Sequence, residues 1–394
     1  MNENNKIEKI ICFILRHLFI LILMPKNIQF FVILALLFYF IIINKKILFF
    51  NGTTFCFILV GVIQLVSIWI NSLGNHDASR IIASLNTCLI WILSGLIFGY
   101  VMSGNYNKEK INKLAFYNMM GLIILSIIYV IFPKELLLKI NLFDRRIVGI
   151  DWLYGLKSYR FMGFMEYSNL VVLLCLLLFP FSFQYLKNRN ANKFLLIIFD
   201  LLSSLPAIKT NSRMGIMLFI VITLIMLINT IVKDKKLIKL FYFIIFPVIL
   251  VLVFANFQGQ ISNKINNLMN SRADSTSQRT IIYQKSIEKT INGHLILGCG
   301  IKDMTGEYPL GSHSTYIGLF YKTGLIGLIV GIIGFIRILI SLIKNKIESV
   351  YILFYIGLLS MLLIEDIDGT NWFIFLFVVL YGTIVSRRKK VEEE

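Results

Sequence analysis

Apolar residues in this chain come in long, nearly unbroken runs separated by short charged stretches. Neither the alternation of a half-buried strand nor the one-sided stripe of a surface helix dominates. Runs of about 20 apolar residues match the thickness of a bilayer's hydrocarbon core. Twelve candidates cover roughly residues 10–24, 28–43, 47–70, 80–102, 114–132, 162–186, 194–209, 212–232, 238–256, 314–341, 349–364 and 371–386. The first is short and carries Arg16 and His17, so the count is eleven if it lies in the interface. The seventh is also short, with Asp200 inside it and Pro206 near its end. The pattern predicts an all-α integral membrane protein of about 12 transmembrane helices, a single polytopic domain over residues 1–394.

The loops orient this array. With the N-terminus inside, the segments 1–9, 44–46, 103–113, 187–193, 233–239, 342–348 and 387–394 face the cytoplasm, and each carries two to four Lys or Arg. The short loops at 25–27, 71–80 and 365–370 hold only Lys26 and Arg80, and the last reads Glu-Asp-Ile-Asp-Gly-Thr. This is the positive-inside arrangement, with both termini cytoplasmic. It also sets parity. Residues 187–193 and 233–239 are both basic, so an even number of spans separates them, and the seventh and eighth runs both cross.

Two external loops are long, at about 133–161 and 257–313, and loops of that length are usually functional or disordered. The second contains Ser-Thr-Ser-Gln at 275–278, a capping-box pattern in which Ser275 and Gln278 satisfy each other's backbone donors. Tyr283, Ile287 and Ile291 then share one helical stripe, and Asn292-Gly293 ends it. A short amphipathic helix over the outer membrane face is expected there.

Composition supports this picture: 57% of the 394 residues are hydrophobic and only 15% charged. The net charge of +18 comes without a basic face, an aromatic ladder or a nucleic-acid motif, so it reads as topological and no nucleic-acid partner is expected. Of five cysteines, only Cys299 falls in an external loop, which excludes a disulfide framework there. No Cys/His spacing indicates a metal. The N-terminal sequence enters apolar residues without a clear cleavage site and reads as an uncleaved anchor. No internal repeat is visible.

Charged groups at the outer ends of spans are costly in lipid and invite a functional reading. Arg213 lies in Thr-Asn-Ser-Arg-Met-Gly at the start of the eighth span. Arg279 lies in the first turn of the loop helix, where a cation opposes the helix dipole. Arg160 opens the sixth span. The bland alternative is that such arginines snorkel to headgroups. His313, in Gly-Ser-His-Ser-Thr-Tyr, precedes the tenth span, where the dipole favours a neutral, base-competent ring; the alternative is a simple capping role. Lys322 either faces a polar cavity or snorkels, and Asp200 reads as a structural buried acid in need of a partner.

Several motifs resemble the bacterial O-antigen and capsule polysaccharide polymerases and O-antigen ligases. They are Ser-Arg-x-Gly at 212–215; an external arginine-bearing helix followed by Leu-Gly-Cys-Gly-Ile at 297–301; His313-Ser-Thr-Tyr followed by Lys-Thr-Gly-Leu-Ile-Gly at 322–327; and Arg160 with a later Asn169. The resemblance covers about residues 158–340. Many relatives have His-Asn where this chain has His313-Ser314.

The resemblance implies a glycosyltransferase of the bacterial cytoplasmic (inner) membrane acting on polyprenyl-pyrophosphate-linked oligosaccharide at the outer face. His313, Arg279 and Arg213 are the expected catalytic residues, and Arg160, Arg272, Ser212, Tyr316 and Lys322 the expected substrate contacts. Arginine suits phosphate oxygens and can offset charge on a departing pyrophosphate. A neutral histidine can activate a hydroxyl for inverting attack. No cofactor or metal is expected. The expected partners are the lipid-linked glycan, membrane lipid and a chain-length regulator protein.

A polymerase is favoured; an O-antigen ligase using a lipid A–core acceptor is the alternative. From other classes, a lipid-linked oligosaccharide flippase or transporter would fit the span count. It would more commonly show repeats and broken spans in matching halves. A structural subunit of an assembly complex is the third reading.

The predicted sidedness is directly testable. In a cysteine-free background, an Asp144→Cys variant should react with a membrane-impermeant maleimide on intact cells and an Asn190→Cys variant should not. The reverse labelling would invert the topology.

Overall fold

The computed structural model describes residues 3–43, 51–74, 76–104, 106–153, 156–231, 273–305 and 308–386. Every apolar run within these residues is helical. Six described helices are long and apolar enough to cross a membrane: Gly52–Asn71 (α4), Ala78–Met102 (α5), Lys108–Ile131 (α6), Ser168–Asn188 (α8), Arg213–Ile231 (α10) and Thr315–Lys344 (α12). Lys26–Ile43 (α3), Lys193–Lys209 (α9), Ser349–Met361 (α13) and Asn371–Val385 (α14) are shorter apolar helices. Phe31, Ile42 and Ile82 are each more than 60% exposed on these helices, a surface that lipid tolerates and water does not. The chain is thus a multi-pass membrane protein. The run at 238–256 lies outside the described residues, as does Arg272.

The first run is a broken helix, Glu3–Arg16 (α1) and Leu18–Leu23 (α2), interrupted at His17. It begins several residues before the apolar stretch. There Glu8 pairs with Lys110 at 2.9 Å and accepts from the Asn107 N–H at 2.8 Å, fastening α1 to the start of α6.

The chain packs as two compact units, one of Met1–Asn118, Leu176–Phe181 and Arg279–Glu394, the other of Met119–Cys175 and Ser182–Gln278. In the first unit α14 is buried along its whole length, as an all-round apolar sequence requires. It packs with α5, while α5 and α12 each pack on α4. Small residues bring these backbones close: a β-carbon on Gly61 would sit 2.6 Å from the Cys88 carbonyl oxygen. Phe57, Trp91, Phe335 and Phe377 fill the space between as a chain of edge-on and tilted rings.

In the second unit the segment 133–161, expected as a loop, is structured. It holds a short helix Lys134–Leu138 (α7), a two-residue pairing of Asn141–Leu142 (β1) with Arg145–Arg146 (β2), and a hairpin of Val148–Leu153 (β3) and Leu156–Phe161 (β4). The all-α reading therefore needs this correction. Val148, Ile150 and Trp152 alternate at the period of a strand, a signal overshadowed by the neighbouring spans. Arg160 consequently lies in β4, paired with Gly149, and the sixth span starts at Ser168.

The expected loop helix exists as Ala273–Ile291 (α11) and ends before Asn292-Gly293. Two details differ. It is already helical at Ala273, so Ser275 is inside it and does not cap its start. Its buried side is Ile282, Ser286 and Thr290, whereas Ile287 and Ile291 are exposed. The stripe is rotated because Ser286 donates to the Ile282 carbonyl and accepts from the Gly311 N–H, which satisfies a hydroxyl among buried neighbours.

The most consequential feature is a break inside α12. Gly324 has φ +62° and ψ −162°, which interrupts the helical ladder. The segment 295–300 supplies the missing partners. Cys299 and Gly300 N–H groups donate to the Tyr321 and Lys322 carbonyls at 2.7 and 3.1 Å, and Leu325 and Ile326 N–H groups donate to the Leu295 and Ile296 carbonyls at 2.8 and 3.4 Å. A β-carbon on Gly298 would lie 2.4 Å from the Gly324 nitrogen, and one on Gly324 2.3 Å from the Ile296 carbonyl oxygen. Gly298 of Leu-Gly-Cys-Gly and Gly324 of Lys-Thr-Gly are thus two sides of one backbone contact. Gly324→Ala combines an unfavourable φ with this overlap and should lower stability by about 2 kcal/mol or more. Thermal unfolding in detergent checks this; an unchanged midpoint would show that the contact is dispensable.

Candidate functional site

Within the first unit, four of the expected site residues meet around the N-terminus of α12. Ser314 caps that helix, its side-chain oxygen accepting from the Ile317 N–H at 3.3 Å, so His313 stands just outside the first turn. His313 has φ +62°, a left-handed conformation uncommon for a side-chain-bearing residue. Its carbonyl accepts a hydrogen bond from the Tyr283 hydroxyl at 2.6 Å. Tyr283 is one turn along α11 from Arg279, so both lie on the same side of that helix.

The loop after α13 closes the arrangement. Thr315 N–H donates to the Leu362 and Glu365 carbonyls at 3.0 and 2.9 Å, and its hydroxyl donates to the Glu365 carbonyl at 2.7 Å. Arg279 Nη1 donates to the Ile364 carbonyl at 3.3 Å. One loop therefore holds both the arginine and the turn that carries the histidine.

This loop also brings three acids, Glu365, Asp366 and Asp368, all buried. Lys302 pairs with Asp366 at 2.5 Å and with Asp368 at 3.6 Å, and Lys322 pairs directly with Asp368. Lys322, expected either to face a cavity or to snorkel, is 1% exposed and ion-paired. Tyr316 donates its hydroxyl to the Leu359 carbonyl at 3.1 Å and so ties α12 to α13.

The field at His313 follows from these neighbours. Burial first, then the Arg279 guanidinium, hold its pKa down to about 4; Lys302 adds to this and Asp366 opposes it. A buried imidazole beside a fixed guanidinium stays neutral near neutral pH, the form that can accept a hydrogen bond from a hydroxyl. Burial alone would raise the Asp366 pKa, but Lys302 and Lys322 outweigh it, so this carboxyl stays below its ordinary range.

The second unit holds Arg160, Ser212 and Arg213. Ser212 Oγ accepts from the Gly215 N–H at 3.3 Å, and Arg213 is the first residue of α10. A β-carbon on Gly215 would lie 2.7 Å from a Val172 methyl, so Ser-Arg-x-Gly combines a cap with a close helix approach. The Tyr159 carbonyl accepts from Asn211 Nδ2 and from the Tyr129 hydroxyl, each at 3.0 Å. This brings β4, and with it Arg160, to the α9–α10 turn that precedes Arg213. Among the described residues, the buried Nε of Arg160 has no hydrogen-bond partner.

Sequence reasoning passed over Lys302, Asp366 and Asp368. The available signal was three carboxylates in one short loop between apolar runs, which demand cations nearby.

Residues 198–332 match the family model described as O-antigen ligase. The stretch includes Ser212, Arg213, Arg272, Arg279, His313, Tyr316 and Lys322 but not Arg160. The resemblance drawn from the motifs is borne out. No curated protein sequence matches the chain.

The depressed histidine has a measurable consequence. Between about pH 6.5 and about 4 the unfolded chain binds a proton that folded His313 refuses, so this group's contribution to stability falls as pH drops through that window. Thermal unfolding of wild-type and His313→Gln proteins should differ by a constant amount above about pH 6.5, and the wild type should lose ground below it. An invariant difference across the range would indicate an ordinarily titrating histidine.

Proposed function

We propose that this chain, which carries an O-antigen ligase family domain, is a membrane glycosyltransferase. It extends polysaccharide from polyprenyl-pyrophosphate-linked repeats at the outer face of the bacterial cytoplasmic membrane. The observation that carries the reading is that Arg279 and neutral His313, both inside the stretch that matches the family, are held by one loop at 362–366.

The chemistry follows from the side chains. Arg279 provides a permanently charged, planar donor for pyrophosphate oxygens, and Arg213 and Arg160 of the second unit are side chains of the same chemistry. As the bond from the anomeric carbon to the phosphate oxygen breaks, negative charge grows on the leaving pyrophosphate and arginine offsets it. His313 takes the proton of the acceptor hydroxyl as that oxygen attacks the opposite face of the anomeric carbon, inverting configuration. With arginine neutralising the leaving group, the reaction is proposed to be metal-independent. Both termini are proposed to be cytoplasmic, and a chain-length regulator is a proposed partner.

The ligase reading shares all of this and differs in acceptor. Purified lipid-linked repeat supplied alone should yield longer chains for a polymerase; product only on addition of a lipid A–core acceptor would favour the ligase.

In cells, His313→Ala and Arg279→Ala at matched protein level should reduce long-chain product at least about 100-fold, in line with loss of an acid–base group or a charge stabiliser. A persistent ladder in both variants would remove these residues from the site and bring a transport or scaffold role forward.

A further inference from the structure

Arg279 lies on α11 and His313 in the turn before α12, so their register depends on contacts between segments and not on the chain joining them. Direct hydrogen bonds close a ring between the two. From α11 the Tyr283 hydroxyl donates to the His313 carbonyl at 2.6 Å. Two residues further on, the Thr315 hydroxyl donates to the Glu365 carbonyl at 2.7 Å and accepts from the Ile367 N–H at 3.2 Å. In that same loop the Ile364 carbonyl accepts from Arg279 Nη1 at 3.3 Å, which returns the ring to α11 one turn before Tyr283. A closed ring holds position better than a branch, because a shift of any one member strains the others.

Tyr283 is the member that joins the helix of the arginine to the turn of the histidine. His313 has φ +62°, a conformation that a side-chain-bearing residue keeps only where its surroundings impose it. The bond from Tyr283 fixes the peptide carbonyl of that residue, and the imidazole leaves the same Cα. Docking of α11 on the turn has a separate anchor: the buried Ser286 hydroxyl accepts from the Gly311 N–H at 2.8 Å. That leaves the Tyr283 hydroxyl free to set the finer register.

The hydroxyl suits this duty as a donor. Burial raises its pKa, against the Arg279 guanidinium and with help from Glu365 and Asp366, so it keeps its proton and does not compete with His313 as a base. The bland alternative is a hydroxyl that merely satisfies itself on the nearest carbonyl, as buried tyrosines commonly do. Tyr355 supplies the comparison, since its hydroxyl donates to the Phe335 carbonyl at 2.8 Å and joins α13 to the part of α12 beyond the break.

We infer that Tyr283 is a positioning residue for glycosyl transfer, its hydroxyl holding His313 in register with Arg279. This rests on the glycosyltransferase reading for the reaction and adds to it a residue that acts through another.

The test uses the full chain in nanodiscs. Tyr283→Phe should lower kcat at least about tenfold while KM for the lipid-linked repeat stays within about threefold, the mark of lost alignment rather than lost binding. Made in a His313→Ala background, the same change should cost less than about twofold, because a residue that acts through His313 has nothing left to act on. Tyr355→Phe removes a bond of the same kind and should lower the thermal midpoint without that loss of kcat. A titration by NMR of ¹³C-labelled histidine, with His313 assigned by its disappearance in His313→Gln, reads the register without any sugar transfer. Burial and Arg279 hold the wild-type midpoint at about 4, with Lys302 and Asp366 as the other charges facing the ring, so Tyr283→Phe should move it up toward 6.5 as the guanidinium loses its place. An unmoved midpoint, an unchanged kcat, or an equal loss in the His313→Ala background would each overturn the inference. A Tyr283→Phe chain that does not fold would do so too, because the bond would then serve the fold and not the site. A wild type that transfers no sugar would strike the enzymatic reading alone, with the register still decided by the titration.

Discussion

In a bilayer a helix cannot be interrupted unless something else satisfies the backbone groups it releases, and this constraint organises the first unit. At Gly324 the ladder of α12 opens, and the segment 295–300 closes it with four hydrogen bonds from its own backbone. That exchange works only if two backbones approach with no side chain between them, hence glycine at both 298 and 324. The same segment is held from its other side by α4, where the Ser67 hydroxyl donates to the Leu297 and Gly298 carbonyls and Asn71 reaches Gly298 at 3.4 Å. This segment is therefore seated between two helices.

Much of the site's geometry follows from this seating. Because 295–300 is locked against α12, the preceding helix α11 returns over the α12 N-terminus, with Tyr283 on the His313 carbonyl. Lys302, just beyond the locked segment, reaches Asp366 and Asp368. Lys322, about two turns into the same broken helix from Ser314, completes the pairing. Lys322, Asp366 and Asp368 are buried and Lys302 is partly buried, and an isolated buried charge there would cost several kcal/mol. The acids thus have a structural duty toward the lysines and an electrostatic one toward the histidine.

The second unit is built differently. Its arginines sit on a hairpin and on a capped helix start, joined through the Tyr159 carbonyl and the Asn211 amide. Arg160 keeps a buried nitrogen without a partner among the described residues, and Arg213 opens a helix where a cation opposes the dipole.

By itself the sequence determined what depends on local composition. Each described apolar run is a helix because lipid admits no other open backbone, and the loop helix appears with its end at Asn292-Gly293. Arg279 and His313 were legible as candidates because the first opposes the dipole of the loop helix and the second stands at the start of an apolar run. What only tertiary structure decided depends on segments far apart in the chain. The side of α11 that is buried turned on the Ser286–Gly311 bond, and the hairpin at 148–161 on pairing across a turn. Lys302 met its acids 64 residues away, and Gly324 proved to be a break because the segment at 295–300 was there to fill it. Hydropathy records a residue's preference for water or lipid, whereas an ion pair or a backbone exchange exists only once both partners are in place.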